Sequence, residues 1–359
     1  MRRIWRLTLA IACVWLSPIP AMAADASAAI PVPSPLHIGG FADVELHTSS
    51  DNMREGLDLA ELDVYSTLQI SGSWSALAEA LAHRDWRREE PADHNAAEVD
   101  LERFYAAYTH SDAFRLEIGQ THTGIIRWNE REHRSRILQT PIDVPAIARR
   151  PEDAGAWPTR FIGMWASGRI GGPLGLAWEG AVGAGPGAAR DAIPILSDDR
   201  SPAAFVSLSA SPASVTGLEF GIGAYGQRIP TRPDALRERD ATLWVNYVRN
   251  GTEVRAEWAR MDHTLTRQST TYRTTGYYVL LSKRLSGIAE RARPYLLLDR
   301  LSVPAGEAYL SRIPDENAWA LGVRYDVTTR FSVKGEFRSQ LAPSGDREQL
   351  LGLQFGFAF

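Results

Sequence analysis

One glycine-rich segment of this chain has the spacing of a cofactor-binding motif. Gly221–Gly226 matches the pattern G-x-G-x-x-G, which places a dinucleotide pyrophosphate at the start of a helix. The neighbouring Phe220 and Ile222 alternate with the glycines at period two, which indicates a strand and not a turn that leads into a helix. We interpret the glycines as strand positions that keep one face free of bulk.

Asp262 and His263 could supply part of a hydrolytic site, because an acid beside a histidine is the usual acid–base pair. No third member of a triad is evident, no G-x-S-x-G sequence occurs, and the eight histidines have no metal-ligand spacing. We therefore expect a solvated strand end at this pair. We also expect no metal ion, no cofactor and no enzymatic activity.

The stretch 123–160 is rich in charges of both signs. Its seven arginines and five carboxylates give it a net charge of +2. Connections longer than about 15 residues are usually functional or disordered. We predict that this one is functional and sets a transverse field at a constriction; the alternative is a surface loop whose charges pair and are solvated. The predicted constriction residues are Arg127, Arg131, Arg134, Arg136, Glu130, Glu132 and Asp143.

Alternation between apolar and polar residues positions these side chains, and it is clearest at the C-terminus. Phe355, Phe357 and Phe359 occupy one parity, and Gln354 and Gly356 occupy the other. Successive side chains of a strand point to opposite faces, so one face here is wholly apolar. On a soluble protein such an edge would invite aggregation, whereas in a closed barrel it is paired and meets lipid.

Upstream strands carry charges of both signs on the polar parity. Phe331 and Val333, for example, alternate with Lys334 and Glu336. In a soluble sandwich the charged parity would face bulk water, but the many long strands here favour a wet lumen. The predicted lumen-wall residues are Arg115, Glu117, Arg255, Glu257, Arg324, Asp326, Lys334, Glu336 and Arg338.

The runs and their breaks predict an all-β chain, a closed antiparallel transmembrane β-barrel of about sixteen strands. Tight turns such as Asn250-Gly251 alternate with longer connections, of which 123–160 is the third. Short turns are typically periplasmic and long loops extracellular. The alanines of 74–85 would also suit a helix. The predicted strands are 36–48, 59–71, 75–87, 98–110, 113–122, 161–171, 174–184, 203–211, 217–228, 240–250, 252–264, 271–284, 292–303, 316–327, 330–341 and 347–359.

Several aromatic side chains of the second half fit either of two roles. Amphipathic rings are enriched where membrane meets water, so we predict that most of them form girdles around the barrel. The alternative is a track of rings that stacks a ligand. These residues are Trp244, Tyr247, Trp258, Tyr277, Tyr295, Trp319 and Tyr325.

The N-terminus indicates export. Three arginines precede an apolar run over residues 7–16, and Ala21-Met22-Ala23 has the small residues required before cleavage. We predict a signal peptide at 1–23, a short lead at 24–35 and the barrel at 36–359. A lipoprotein signal that ends at Cys13 is the alternative. Cleavage removes this single cysteine and the three arginines, so the net charge moves from −4 to −7, unlike a nucleic-acid binder.

Together these features resemble the Gram-negative outer-membrane porins, in particular uncharacterised porin-like barrels of about sixteen strands. The resemblance is carried by the signal end, the alternating strands and the segments Ile118–Gly124 and Leu138–Pro141. The terminal Gln354–Phe359 resembles the assembly signal of such barrels, with Phe355, Phe357 and Phe359 as its aromatic positions. The resemblance covers the mature chain as architecture and is not specific for a substrate.

The resemblance implies a pore in the bacterial outer membrane for passive diffusion of small hydrophilic solutes or ions. The surplus of arginine in 123–160 adds an expected slight preference for anions. The implied partners are outer-membrane lipid and lipopolysaccharide, the barrel-assembly machinery, small solutes or ions and, in a homotrimer, two further copies, but no nucleic acid. The alternatives are a closed barrel with a structural or adhesive role and, less favoured, an outer-membrane lipid hydrolase.

Overall fold

The computed structural model describes residues 35–49, 56–83, 98–132, 137–187, 201–231, 234–341 and 345–359. The predicted signal peptide and most of the predicted lead lie outside these residues. The strands are β1 (Leu36–Ser49), β2 (Gly56–Gln69), β3 (Trp74–His83), β4 (Glu98–Ser111), β5 (Phe114–His122), β6 (Arg160–Ile170), β7 (Leu176–Gly185), β8 (Ser201–Ala210), β9 (Leu218–Ile229), β10 (Leu236–Arg249), β11 (Thr252–Leu265), β12 (Thr271–Lys283), β13 (Ala292–Ser302), β14 (Glu316–Asp326), β15 (Phe331–Leu341) and β16 (Arg347–Ala358).

Each strand pairs antiparallel with the next along the chain, and β1 pairs with β16, so the sheet closes into a barrel. The prediction of an all-β closed barrel of about sixteen strands is therefore confirmed. The helical alternative for 74–85 is wrong over its described residues, 74–83, because β3 pairs with both β2 and β4. Among the described residues no helix is long and apolar enough to cross a membrane.

The closing seam lies between β1 and the last residues of the chain. The Phe359 N–H donates to the Gly40 carbonyl at 3.0 Å, and the Gly40 N–H donates to the Phe359 carbonyl at 3.1 Å. A Cβ on Gly40 would lie 2.4 Å from the Phe359 ring. Because no side chain would fit there, glycine at position 40 lets the terminal aromatic residue pack against the seam.

Alternation sorts the side chains between the two faces of the wall. On β10, Asp240, Thr242 and Trp244 are buried, whereas Leu243 between them is 55% exposed. Large apolar side chains with similar exposure recur around the barrel, as at Ile222, Val206 and Leu321. The exposed parity therefore forms the outer apolar surface, and the buried parity faces the lumen.

Connections at one end of the barrel, here called the turn end, are short, as at Asn250-Gly251. Those at the other end, the loop end, include the connection 123–159 between β5 and β6. This connection holds the helix α1 (Arg127–Glu132) and two 3-10 turns (Ala146–Ala148 and Pro151–Asp153); a third 3-10 turn (Gly287–Ala289) lies in the β12–β13 connection. Strand limits agree with the prediction to within a few residues. The largest difference at the start of a described strand is in β10, which begins at Leu236 and not at 240.

Candidate functional site

The β5–β6 connection lies inside the barrel. Ile125, Ile126, Ile147 and Trp157 are fully buried, although the connection has no strand partner of its own. Its polar atoms contact wall residues on β2, β7, β9, β11, β13, β14 and β15. Contacts this far around a closed ring require the connection to cross the lumen.

The first part of the connection, from the end of β5 to α1, is bound by a carboxylate of the wall. Glu257 on β11 accepts hydrogen bonds from the backbone N–H groups of Arg127, at 2.7 Å, and Trp128, at 3.4 Å. The first N–H groups of a helix have no partner within it, and they favour negative charge. Glu257 therefore fixes the start of α1 against the wall.

The side chain of Arg127 is surrounded by acids. Its Nη2 lies 2.9 Å from Glu219 and its Nη1 lies 3.7 Å from Glu179, and it also pairs with Glu130. Its guanidinium stacks over the Trp244 ring at 4.6 Å. Burial opposes the charge, but the three carboxylates outweigh it and raise the pKa of Arg127. Arg127 is thus a fully charged, compensated cation.

Wall cations bind backbone carbonyl groups in the second part of the connection, residues 137–159, which leads back to β6 and is here called the returning part. Arg324 Nη1 donates to the carbonyls of Ile137, at 2.5 Å, and Gln139, at 2.8 Å. Lys334 Nζ donates to the carbonyl of Pro141 at 3.0 Å. Arg324 is the cross-strand neighbour of both Arg293 and Lys334, so three cations form one row on the lumen face of β13–β15.

Wall acids hold the same part by its N–H groups. Glu336 accepts from the Ile142 N–H at 3.1 Å and from the Tyr295 hydroxyl at 2.8 Å. Asp299 accepts from the Ala146 N–H at 2.9 Å. Charged acceptors make stronger hydrogen bonds than neutral ones, so these contacts fix the backbone and not only the side chains.

A buried charge cluster fixes the end of the returning part. Arg149 makes a two-pronged contact with Glu316, at 2.5 and 2.7 Å. Arg338 pairs with Glu316, with Asp299 at 3.0 Å and with Asp143 at 3.4 Å. Burial opposes the charge of Arg149, but Glu316 outweighs it and raises the pKa of this guanidinium.

The predicted residues divide into three groups. Arg127, Glu130, Asp143, Glu257, Arg324, Lys334, Glu336 and Arg338 belong to the contacts between connection and wall described above. Arg115–Glu117, at 2.9 Å, Arg255, at 2.7 Å from Glu253, and Asp326, at 2.7 Å from Arg324, pair along the wall itself. Arg134, Arg136 and the side chains of Arg131 and Glu132 lie outside the described residues.

Sequence reasoning missed several partners, above all Glu179 and Glu219. Their parity could have placed them on the lumen face, since each alternates with outward apolar side chains. What it could not show is which wall positions meet the connection, because those contacts join residues about 50 to more than 190 positions apart.

Two of the aromatic side chains predicted for girdles are in the lumen. Trp244 and Tyr295 are each 4% exposed, whereas Trp258, Tyr277 and Tyr325 are about 40% exposed on the outer face. Strand alternation explains why Trp244 is buried: the adjacent Leu243 points outward, so Trp244 points into the lumen. A Cβ on Gly221 would lie 2.6 Å from the Trp244 ring, so this glycine of β9 makes room for the indole. The G-x-G-x-x-G segment lies within β9, and no described helix stands between it and β10.

Asp262 and His263 lie on opposite faces of β11. His263 is buried between Glu238, at 2.9 Å, and Glu307, at 3.3 Å, whereas Asp262 bonds Arg260 and Arg273 outside. They cannot act as one acid–base pair. Within the described residues no group of three or more His, Cys, Asp or Glu side chains is placed to hold a metal ion.

Comparison with solved structures agrees with the architecture. The chain is similar to the anion-selective porin from Comamonas acidovorans, at 12% identity and a TM-score of 0.64, with 90% of this chain and 99% of that chain covered. It is also similar to OmpF of Salmonella typhi in complex with daunomycin and to the outer-membrane channel DcaP of Acinetobacter baumannii, each at 11% identity and a TM-score of 0.59 over 90% of this chain and 97% of the other. No family model and no curated protein matches the sequence. The chain thus has the fold of the sixteen-stranded porins.

Proposed function

We propose that this protein is an outer-membrane pore through which small hydrophilic solutes and ions diffuse passively. The observation that carries this proposal is the β5–β6 connection, held across the lumen by wall charges of both signs. Such a connection narrows a barrel without requiring any chemistry, and the charges beside the remaining space bias which solutes enter. The tight turns are then periplasmic, and the loop end is extracellular.

We also propose a slight preference for small anions. Arg127 gathers three carboxylates on the β7–β9 side, whereas Arg293, Arg324 and Lys334 form their row on β13–β15. These groups of strands are about six positions apart in a ring of sixteen, so the acids around Arg127 and this row of three cations lie on opposite sides of the lumen. The connection between them carries seven arginines and five carboxylates over 123–160, and this surplus favours anions. Charges in a narrow, low-dielectric passage act more strongly than charges on an open surface.

The test is single-channel recording in planar bilayers with a salt gradient. Replacing Arg127, Arg131 and Arg134 together by serine should enlarge the conductance and shift the reversal potential toward cations, since Glu130, Glu179 and Glu219 lose their shared partner. The control replaces Arg169, Arg249 and Arg330 by serine, which removes three exposed arginines near the turn end. Wild-type protein that passes no current would favour the closed structural barrel. Unchanged reversal potentials in the triple variant would place the filter elsewhere on the wall.

A further inference from the structure

Four neighbouring side chains of β9 and β10 present lumen-facing oxygens that have no hydrogen-bond partner among the described residues. Tyr225 is the direct cross-strand neighbour of Asp240, and Gln227 and Thr242 are the next lumen-facing positions on the two strands. All four side chains are 5% exposed or less. We call this group the Asp240 site, and its unpartnered atoms are the hydroxyl oxygens of Tyr225 and Thr242, the amide oxygen of Gln227 and both carboxylate oxygens of Asp240.

Within the described part of the chain, Asp240 lacks a partner in either of its protonation states. An ionised carboxylate needs donors for its oxygens, and a neutral carboxyl group also needs an acceptor for its O–H group. Burial of a polar group without such partners is costly. The wall positions around Asp240 supply no arginine or lysine, since they are Glu238 and Thr242 on the same strand, Tyr225 on β9 and Met261 on β11. These positions leave the acid without a positively charged neighbour.

Two of the unpartnered oxygens converge beside a glycine of β7. A Cβ on Gly185 would lie 2.3 Å from the Tyr225 hydroxyl oxygen and 2.4 Å from Gln227 Oε1. The orientation of the amide is set by its other end, because Gln227 Nε2 donates to Glu238 at 3.0 Å. The hydroxyl group can donate or accept, whereas the amide oxygen and an ionised carboxylate only accept. The site is thus suited to a group that carries several N–H donors.

The connection from β13 to β14, residues 303–315, closes the loop-end side of the Asp240 site. Its Glu307 lies 3.3 Å from Nδ1 of His263 on β11, and its Tyr309 hydroxyl donates to the Gly187 carbonyl, just beyond the end of β7, at 2.6 Å. The connection therefore spans the strands that carry the site and shields it from bulk water. Charges interact more strongly where water is excluded. A cation in the site would be attracted by the acids of β10 and of this connection.

We propose that the Asp240 site binds the ammonium group of a small primary amine. An ammonium group is a compact positive charge with three N–H donors and no acceptor, which complements the unpartnered oxygens. Oxygen ligands would also suit a hard metal ion, but the acids and histidines of the described residues form no metal-binding group. The proposal names a solute class for the proposed pore, and it rests on that function only for the entry of the amine into the lumen. A bound ammonium group adds positive charge to the lumen, so it does not oppose the preference for anions.

The test is isothermal titration calorimetry on full-length protein in detergent, with folding checked by its heat-dependent gel mobility. The titrants are n-butylammonium, tetramethylammonium, 1-butanol and calcium chloride. Asp240→Asn removes the charge of the site and keeps its size, and Tyr225→Phe removes one hydroxyl group. The matched control is Asp262→Asn, which removes an acid from the outer face of β11. Because no current is measured, a loss of binding is distinguishable from a failure of the protein to conduct in bilayers.

We expect n-butylammonium to bind the wild type and the control equally and to bind Asp240→Asn about tenfold or more weakly, because a charge-assisted contact is replaced by a neutral one. Tyr225→Phe should weaken binding severalfold. Tetramethylammonium, which has no N–H donor, and 1-butanol, which has no charge, should bind weakly to every protein.

Equal binding of n-butylammonium to Asp240→Asn and the wild type would overturn the proposal, and so would its failure to bind the wild type. Tetramethylammonium that binds the wild type as tightly as n-butylammonium would overturn it without the use of any variant, by showing that the N–H donors play no part. Competition by calcium would also overturn it, by assigning the oxygens to a metal ion.

Discussion

At the scale of single residues, most lumen charges are paired, and many of them pair with backbone groups of the β5–β6 connection. Glu257, Glu336 and Asp299 accept N–H groups, and Arg324 and Lys334 donate to carbonyls. Sequence patterning could place these side chains on the polar face of the wall. It could not show that backbone N–H and carbonyl groups of the connection would pair with these charges, because no residue pattern indicates which wall positions a loop backbone will contact.

Replacing Arg338 by methionine should destabilise the barrel. Arg338 is 1% exposed and pairs with Asp143, Asp299 and Glu316, so its loss leaves buried carboxylates with Arg149 as their remaining close cation. Breaking such a buried network costs about 3–5 kcal/mol. The measurement is the urea midpoint, followed by the shift between folded and unfolded gel mobility. Arg330→Met, at an exposed position near the turn end, is the control, and equal midpoints for the two variants would contradict the prediction.

At the scale of elements, one 3-10 turn of the connection packs on a bare stretch of wall. A Cβ on Gly276 of β12 would lie 2.4 Å from the Ile147 side chain and 2.8 Å from the Arg300 carbonyl. Gly335 on β15 has open space around its Cβ position, on the outer face of the wall. A valine at Gly276 would therefore meet the turn, whereas a valine at Gly335 would add the same side chain away from it.

Gly276→Val should displace the turn at Ala146–Ala148 and expose the neighbouring Arg149 and Arg150. We expect faster cleavage by trypsin after these arginines and a larger, noisier conductance, whereas Gly335→Val should change neither. Cleavage at the same rate in both variants would mean that the turn does not rest on β12.

The last strand should tolerate aromatic substitution but not the loss of an aromatic side chain at its end. Phe357 is 40% exposed with the parity of Leu351 and Leu353. Phe357 is one residue from the end of β16, where a charge on the lipid face costs only about 0–1 kcal/mol. Phe357→Asp or deletion of Phe359 should nevertheless lower the amount assembled, because each removes an aromatic position of the proposed assembly signal. Phe357→Tyr is the control. Membrane fractionation measures the result, and normal levels of the Asp variant would be incompatible with this role.

Strands were predictable because their alternation is local, whereas three features depended on distant partners. β10 extends back to Leu236 because Arg237 and Arg239 point outward while Glu238 is buried beside His263. Trp244 enters the lumen because Gly221 on the neighbouring strand leaves it room. The position of the connection inside the barrel is fixed by wall residues on seven strands. Each of these three features depends on contacts that exist only in the closed ring, so the local sequence pattern does not predict it.

At the scale of the whole molecule, closure leaves no unpaired strand edge between β1 and β16. A closed barrel satisfies its backbone hydrogen bonds in lipid and resists mild denaturation. We expect unboiled protein to migrate differently from boiled protein on gels and to stay in membranes during urea extraction. Identical migration before and after boiling, together with release by urea, would be inconsistent with a membrane-spanning barrel.

The seat of the β5–β6 connection also sets an order of events in folding. Arg150 bonds Glu61 near the beginning of the chain, and Ile142 bonds Glu336 near its end. Contacts between such distant positions form late, because the long intervening chain must first be brought together. Both contacts need strands from the two ends of the chain to stand in one ring, so the connection reaches its full set of contacts only when β2 to β15 already enclose it.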